Sequence, residues 1–111
     1  MLVCMDENMP QFLLRALGRR IRELRSEQGF SQEGFADKCG LHRTFMGIVE
    51  RGESNLSFRN LAKVASNLAV PLSVLFQGIE EEAMRAASEA SLGHSRHGGG
   101  PLTQYKGETK K

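Results

Sequence analysis

At 111 residues, 40% of them apolar, the chain has length for one domain and a tail, and its core is a modest one. Trp is absent, Tyr occurs once, and no apolar run approaches the roughly 20 residues that a membrane span requires. The formal net charge is only +2 but unevenly spread: ten Lys/Arg stand against six acids between Pro10 and Gly78, and Glu80 to Glu82 then pull the balance back. A mildly basic module followed by an acidic cluster is compatible with a nucleic-acid partner. Catalytic domains of this size are a minority, so a binding module is expected rather than an enzyme.

Residues 1–9 are expected to be a flexible N-terminus. Their "MLVCM" is too short for a signal-peptide core and runs at once into Asp6 and Glu7. Cytoplasmic location, with no membrane contact, is the resulting expectation. Cys4 lies in this terminus and Cys39 at an apolar helical position, an arrangement that suits a reducing compartment better than a disulfide.

The segment "PQFLLRALGRRIRELRSEQG" predicts a first helix. Leu14, Leu17, Ile21 and Leu24 share one stripe, Arg25 sits at its edge, and Arg15, Arg19 and Arg22 face away. Ser31 can cap a second helix, "QEGFADKC", with Phe35, Ala36 and Cys39 on one side. Gly40 permits the left-handed residue that turns the chain. A third helix follows with His42 at its cap. On a wheel of 100° per residue, Phe45, Met46 and Val49 point inward and Thr44 and Gly47 outward, flanked by Arg43 and Ile48; Glu50 falls at the boundary.

"GESNLS" reads as a loop, and Ser57 can cap a fourth helix whose buried stripe is Phe58, Leu61, Ala65 and Leu68. "VPLSVLF" reads as a short fifth helix with Pro71 in its first turn. Phe58 and Phe76 are both expected at or near the core. Residues 10–78 thus form an all-α, five-helix domain. A helical extension is predicted over 79–92, where acids occupy the first turn. Residues 93–111, "GHSRHGGGPLTQYKGETKK", lack the apolar density to offset ordering entropy and are expected to be disordered.

Two short helices around a glycine turn, at about residues 31–51, form a helix-turn-helix pattern, in which the second helix places its N-terminal residues in the major groove. The outward side offers a guanidinium on Arg43, a hydroxyl and methyl on Thr44, and an aliphatic surface on Ile48, while Gly47 lets the helix lie closer to the bases. From about Leu17, roughly sixty residues resemble the Xre/Cro family of phage-repressor-like regulators. The marks are "SQE" opening the second helix, "GLHRTFMGIVERGESN" and the closing "PLSVLF". "LHRT" followed by "ERGE" looks much like the controller proteins of restriction-modification systems.

The resemblance implies a sequence-specific double-stranded DNA-binding regulator acting as a homodimer on a palindromic operator. It implies base contacts from Arg43, Thr44, Gly47 and Ile48, and phosphate contacts from Gln32, Arg51, Ser54 and Asn55. It further implies a buried ion pair between Arg25 and Glu50, and a dimer contact around Val70, Pro71 and Leu72. Three positions depart from the family pattern: Gly34 replaces a larger residue, Gly47 a polar one, and Ile48 is apolar where polar residues are common.

No cofactor or metal is expected. Cys39 and His42 have the spacing of half a zinc site with no second half, His94 and His97 fall in the tail, and Gly98 to Gly100 open no helix. Ser, His and acidic residues form no catalytic arrangement. Two other readings keep the fold: an antitoxin holding a toxin partner through its C-terminal segment, and an adaptor that binds protein without reading bases.

Overall fold

The computed structural model describes residues 8–97, with side chains through residue 90. Six helices follow one another: α1 (Met9–Glu27), α2 (Gln32–Cys39), α3 (Arg43–Glu50), α4 (Phe58–Leu68), α5 (Leu72–Leu75) and α6 (Ile79–His97). Among the described residues there is no strand, and no single helix is long and apolar enough to cross a membrane.

The first five helices enclose one core. Leu17, Ile21 and Leu24 of α1 meet Phe35, Ala36 and Cys39 of α2, Met46 and Val49 of α3, Val64, Ala65 and Leu68 of α4, and Leu75 of α5. Side chains from α1 and from Gln28, which follows it, also tie the ends of the later helices. Gln28 Nε2 donates to the Leu68 carbonyl at 2.7 Å, and Arg20 donates through Nε to the Val74 carbonyl at 3.1 Å. The first satisfies the Leu68 carbonyl at the end of α4, and the second adds to the Gln77 amide that the Val74 carbonyl already accepts at 3.2 Å.

Four expectations need correction. Phe58 is 68% exposed and Phe76 37%, so neither is core; of the expected fourth-helix stripe Ala65 and Leu68 are buried, and Val64, fully buried, joins them. Leu14 is only half-buried. Met9, assigned to a flexible terminus, is the first residue of α1 and is buried in a second apolar cluster with Ala16 and Ala83. The extension predicted to stop at residue 92 continues to His97, so residues 93–97, with His94 and His97, are helical rather than tail. The remainder of that tail, residues 98–111, lies outside the described residues.

Helix α6 lies along α1. Ile79, Ala83, Met84 and Ala87 supply its apolar side, against Phe12, Leu13 and Ala16 of α1. Arg19 pairs with Glu82 at 2.6 Å over this contact.

Candidate nucleic-acid interface

Local chemistry fixes where α2 and α3 begin and end. Ser31 Oγ accepts the Gly34 amide at 2.9 Å, satisfying one of the unpaired donors at the start of α2. Gly40 takes the left-handed conformation at φ 71°, and its amide and that of Leu41 close the end of α2. His42 then adopts an extended backbone, and its Nδ1 accepts the Thr44 amide at 3.0 Å. An imidazole here does the work of the usual hydroxyl or carboxylate cap.

The inner side of α3 is locked from three directions. Arg25 donates to both carboxylate oxygens of Glu50, from Nε to Oε2 at 2.6 Å and from NH2 to Oε1 at 3.0 Å; its NH1 donates to the Phe30 carbonyl at 2.8 Å. Gln32 Nε2 adds a third donor to Glu50 Oε1 at 3.0 Å. A buried carboxylate with three hydrogen bonds, two of them from a guanidinium, fixes the angle between α1, α2 and the end of α3.

The third lock is steric. A Cβ on Gly18 would lie 2.5 Å from the Val49 carbonyl oxygen and 2.6 Å from that of Glu50. A Cβ on Gly52 would lie 2.5 Å from the Arg15 Cα, and Gly52 is itself at φ 72°. The backbones of α1 and of the end of α3 therefore touch where side chains would hold them apart.

Gly47 is not the open outward position that the wheel suggests. It is buried: a Cβ there would meet Arg51 NH1 at 3.3 Å and Gln32 Oε1 at 3.4 Å. The vacant space of Gly47 is taken by two side chains of the protein, one of which reaches past it to Glu50. In this structure the space that glycine leaves is filled by Gln32 and Arg51.

Arg43 and Thr44 stand exposed at the start of α3, and Ile48 is half-buried one turn on. Arg43 NH1 donates to Glu33 Oε2 of α2 at 2.7 Å, with both side chains about two-thirds exposed at 65% and 64%. Arg51, which follows α3, pairs through Nε with Glu53 at 3.1 Å. Ser54 Oγ donates to the Asn55 carbonyl at 3.3 Å, and the Asn55 side chain is exposed. Arg43, Thr44, Ile48, Gln32, Arg51, Ser54 and Asn55 thus cluster around α3 and the loop that leaves it. The sequence reading did not anticipate Glu33 or the glycines at 18 and 52.

A family model described as helix-turn-helix matches residues 21–75. The chain is 41% identical to the control protein C.MunI of Mycoplasma sp over 66 residues, which span 59% of this chain and 89% of that one. The chain belongs to the Xre-like helix-turn-helix family. Among solved structures it is similar to the restriction-modification controller C.AhdI from Aeromonas hydrophila, with 44% identity, a TM-score of 0.55, and coverage of 56% of this chain and 94% of that one. A variant of C.Esp1396I bound to its highest-affinity operator site is 34% identical, with a TM-score of 0.58 and coverage of 66% and 96%.

The match to the Xre-like helix-turn-helix family ends at residue 75, so α6 lies outside it. Of the segment expected at a dimer contact, Pro71 is exposed and Val70 and Leu72 are half-buried against the core, next to the partly exposed Phe76. Cys39 is a free, buried thiol whose pKa burial raises above its ordinary value, so it is a poor nucleophile. Among the described residues no three His, Cys, Asp or Glu side chains gather in a metal-holding group, and the His42 ring nitrogen that faces the chain is engaged as a helix cap.

Proposed function

We propose that the protein is a transcriptional regulator that binds double-stranded DNA as a homodimer and reads its operator with α3 in the major groove. The observation that carries this reading is the contrast between the two sides of α3. An isolated helix of eight residues is marginal in water, yet its inner side is held by the Arg25–Glu50–Gln32 network and by backbone contact at Gly18. Its N-terminal side chains, Arg43 and Thr44, are left exposed where a groove-entering helix has its reach. The relatives named for controlling restriction-modification, and the operator complex of one of them, support the same reading.

In this reading Arg43 pairs with a guanine edge, Thr44 and Ile48 contact a base edge or a thymine methyl, and Gln32, Arg51, Ser54 and Asn55 hold phosphates. Gly47 serves indirectly, by seating Gln32 and Arg51. The Arg43–Glu33 pair is no obstacle. An exposed pair contributes about 0–1 kcal/mol, whereas a bidentate guanine contact discriminates by about 1–3 kcal/mol. Two copies joined around Val70, Pro71 and Leu72 would present two α3 helices to half-sites about 34 Å apart.

Selection of bound duplexes from a random pool tests this directly. The expected product is a palindrome, and sedimentation should give twice the 12.3 kDa of one chain. With about four phosphates per half-site, log K should fall with log salt at a slope of roughly −7. Arg43→Ala should then cost about 1–3 kcal/mol on the selected operator and little on random duplex. Equal losses on both would remove Arg43 from base readout.

A further inference from the structure

Helix α1 begins well before the residues that the family model matches, and its early turns build a cleft with the loop that leaves α3. Pro10, Gln11, Leu14 and Arg15 form one wall, and Arg51, Gly52, Glu53, Ser54 and Asn55 form the other. The two walls are held in register by the close approach of Gly52 to the Arg15 backbone. The cleft therefore belongs to the same rigid contact that locks α3.

Its charge is cationic. Glu53 is its one carboxylate and is engaged by Arg51 at 3.1 Å. Arg15 is exposed and lies over the Phe12 ring, with 5.7 Å between guanidinium carbon and ring centroid; that contact leaves its N–H donors open to solvent. The cleft is also continuous with the recognition side. Arg51 lines it with one part of its side chain while its NH1 lies over Gly47 of α3. A guanidinium, an amide on Gln11, and the polar groups of Ser54 and Asn55 thus converge one step beyond the end of the recognition helix.

We infer that this cleft is a second phosphate site, in which Arg15 and Gln11 of α1 grip the DNA backbone flanking the bases read by α3. The inference rests on the DNA-binding reading above and extends it to a helix not assigned any DNA contact there. Arg15 acts as a positioning contact, carrying no sequence information, because a phosphate is the same in every base step. The early turns of α1 consequently lengthen the footprint on each half-site.

The test is Arg15→Gln in the full chain, titrated with the selected operator and with random duplex from 50 to 200 mM salt. Losing one phosphate contact per protomer, two per dimer, should make the log–log slope shallower by about 1.8. Affinity should fall by a similar factor on both duplexes, with the operator-to-random ratio unchanged and the thermal midpoint lowered by no more than the loss of one exposed cation–π contact. On a duplex trimmed to the bases read by α3, wild type and variant should bind alike. An unchanged slope for Arg15→Gln beside a reduced slope for Arg51→Gln would overturn the site while leaving DNA binding by the loop intact. A slope near zero for the wild type would instead overturn the DNA-binding reading itself. A loss of equal size on trimmed and full-length duplexes would overturn the flanking position.

Discussion

Where α1 meets α3, two backbones touch through Gly18 and an ion pair is buried between Arg25 and Glu50; where the same helix meets α6, alanine and methionine side chains pack and the ion pair from Arg19 to Glu82 lies at the surface. The first contact is over-determined. It combines sterics, charge and directed hydrogen bonds, each of which alone would restrict the angle of α3. The second is the longer contact, an apolar seam along α1, and among the described side chains of α6 the fully buried one is an alanine. Directed and steric constraints are thus concentrated on the side of α1 that supports the proposed reading helix, while the helix outside the family match is attached by apolar packing and a surface ion pair.

The largest expected effect is on the α3 side. Replacing Glu50 with Ala leaves the Arg25 guanidinium buried without its carboxylate, a loss of about 3–5 kcal/mol. The magnitude comes from stranding a charge, since a buried pair as a whole adds little net stability once its desolvation is counted. Urea denaturation of the full chain measures it. A loss below about 1 kcal/mol would mean that Glu50 is no better anchored than Glu82, and the contrast between the two faces would collapse.

Gly18→Ala comes next. On an isolated helix this change stabilises by about 1 kcal/mol. Here the new methyl would sit 2.5 Å from a backbone carbonyl oxygen that cannot rotate away, so α1 and α3 must separate. The expected outcome is a net loss of about 1–3 kcal/mol, with operator affinity falling because α3 moves. A variant that melts higher than wild type would show that the two backbones have slack between them.

These glycines also mark where the sequence stopped being informative. The caps at Ser31, His42 and Ser57, the turn at Gly40 and the pairing of Arg25 with Glu50 were legible, because each depends on residues near in sequence or on positions that the resemblance carries over. Gly18 was invisible: its reason is a carbonyl more than thirty residues away, and inside a helix a glycine reads as mere weakness. Gly47 was read incompletely for a related cause. A wheel shows which direction a position faces, but not that Gln32 and Arg51 from outside the helix fold over it. Phe58 failed differently. It sits at the first residue of α4, at the margin of the stripe around Val64 and Leu68, and it remains mostly exposed. The start of α1 was placed within one residue, but the burial of Met9 was missed because it packs in a cluster with α6, and an alanine-rich helix gave little hint of docking.

The smallest expected effect is the most exacting check on the comparison. Arg19 and Glu82 approach to 2.6 Å, the same distance as Arg25 and Glu50, so distance alone would rank the two pairs equal. They differ in solvent access: side-chain exposures are 62% and 23% for the first pair, 10% and 3% for the second. Water and salt screen the first, and both long side chains lose rotamer freedom to make it. A double-mutant cycle with Arg19→Gln and Glu82→Gln should return a coupling of about 0.2–1 kcal/mol, shrinking as salt is raised. Because Glu82 also sits in the first turn of α6, its single replacement includes a helix-dipole contribution, and the cycle removes it. A salt-independent coupling of several kcal/mol would show that α6 is fastened as firmly as α3, and α6 would then have to be counted as part of the scaffold that aims the reading helix.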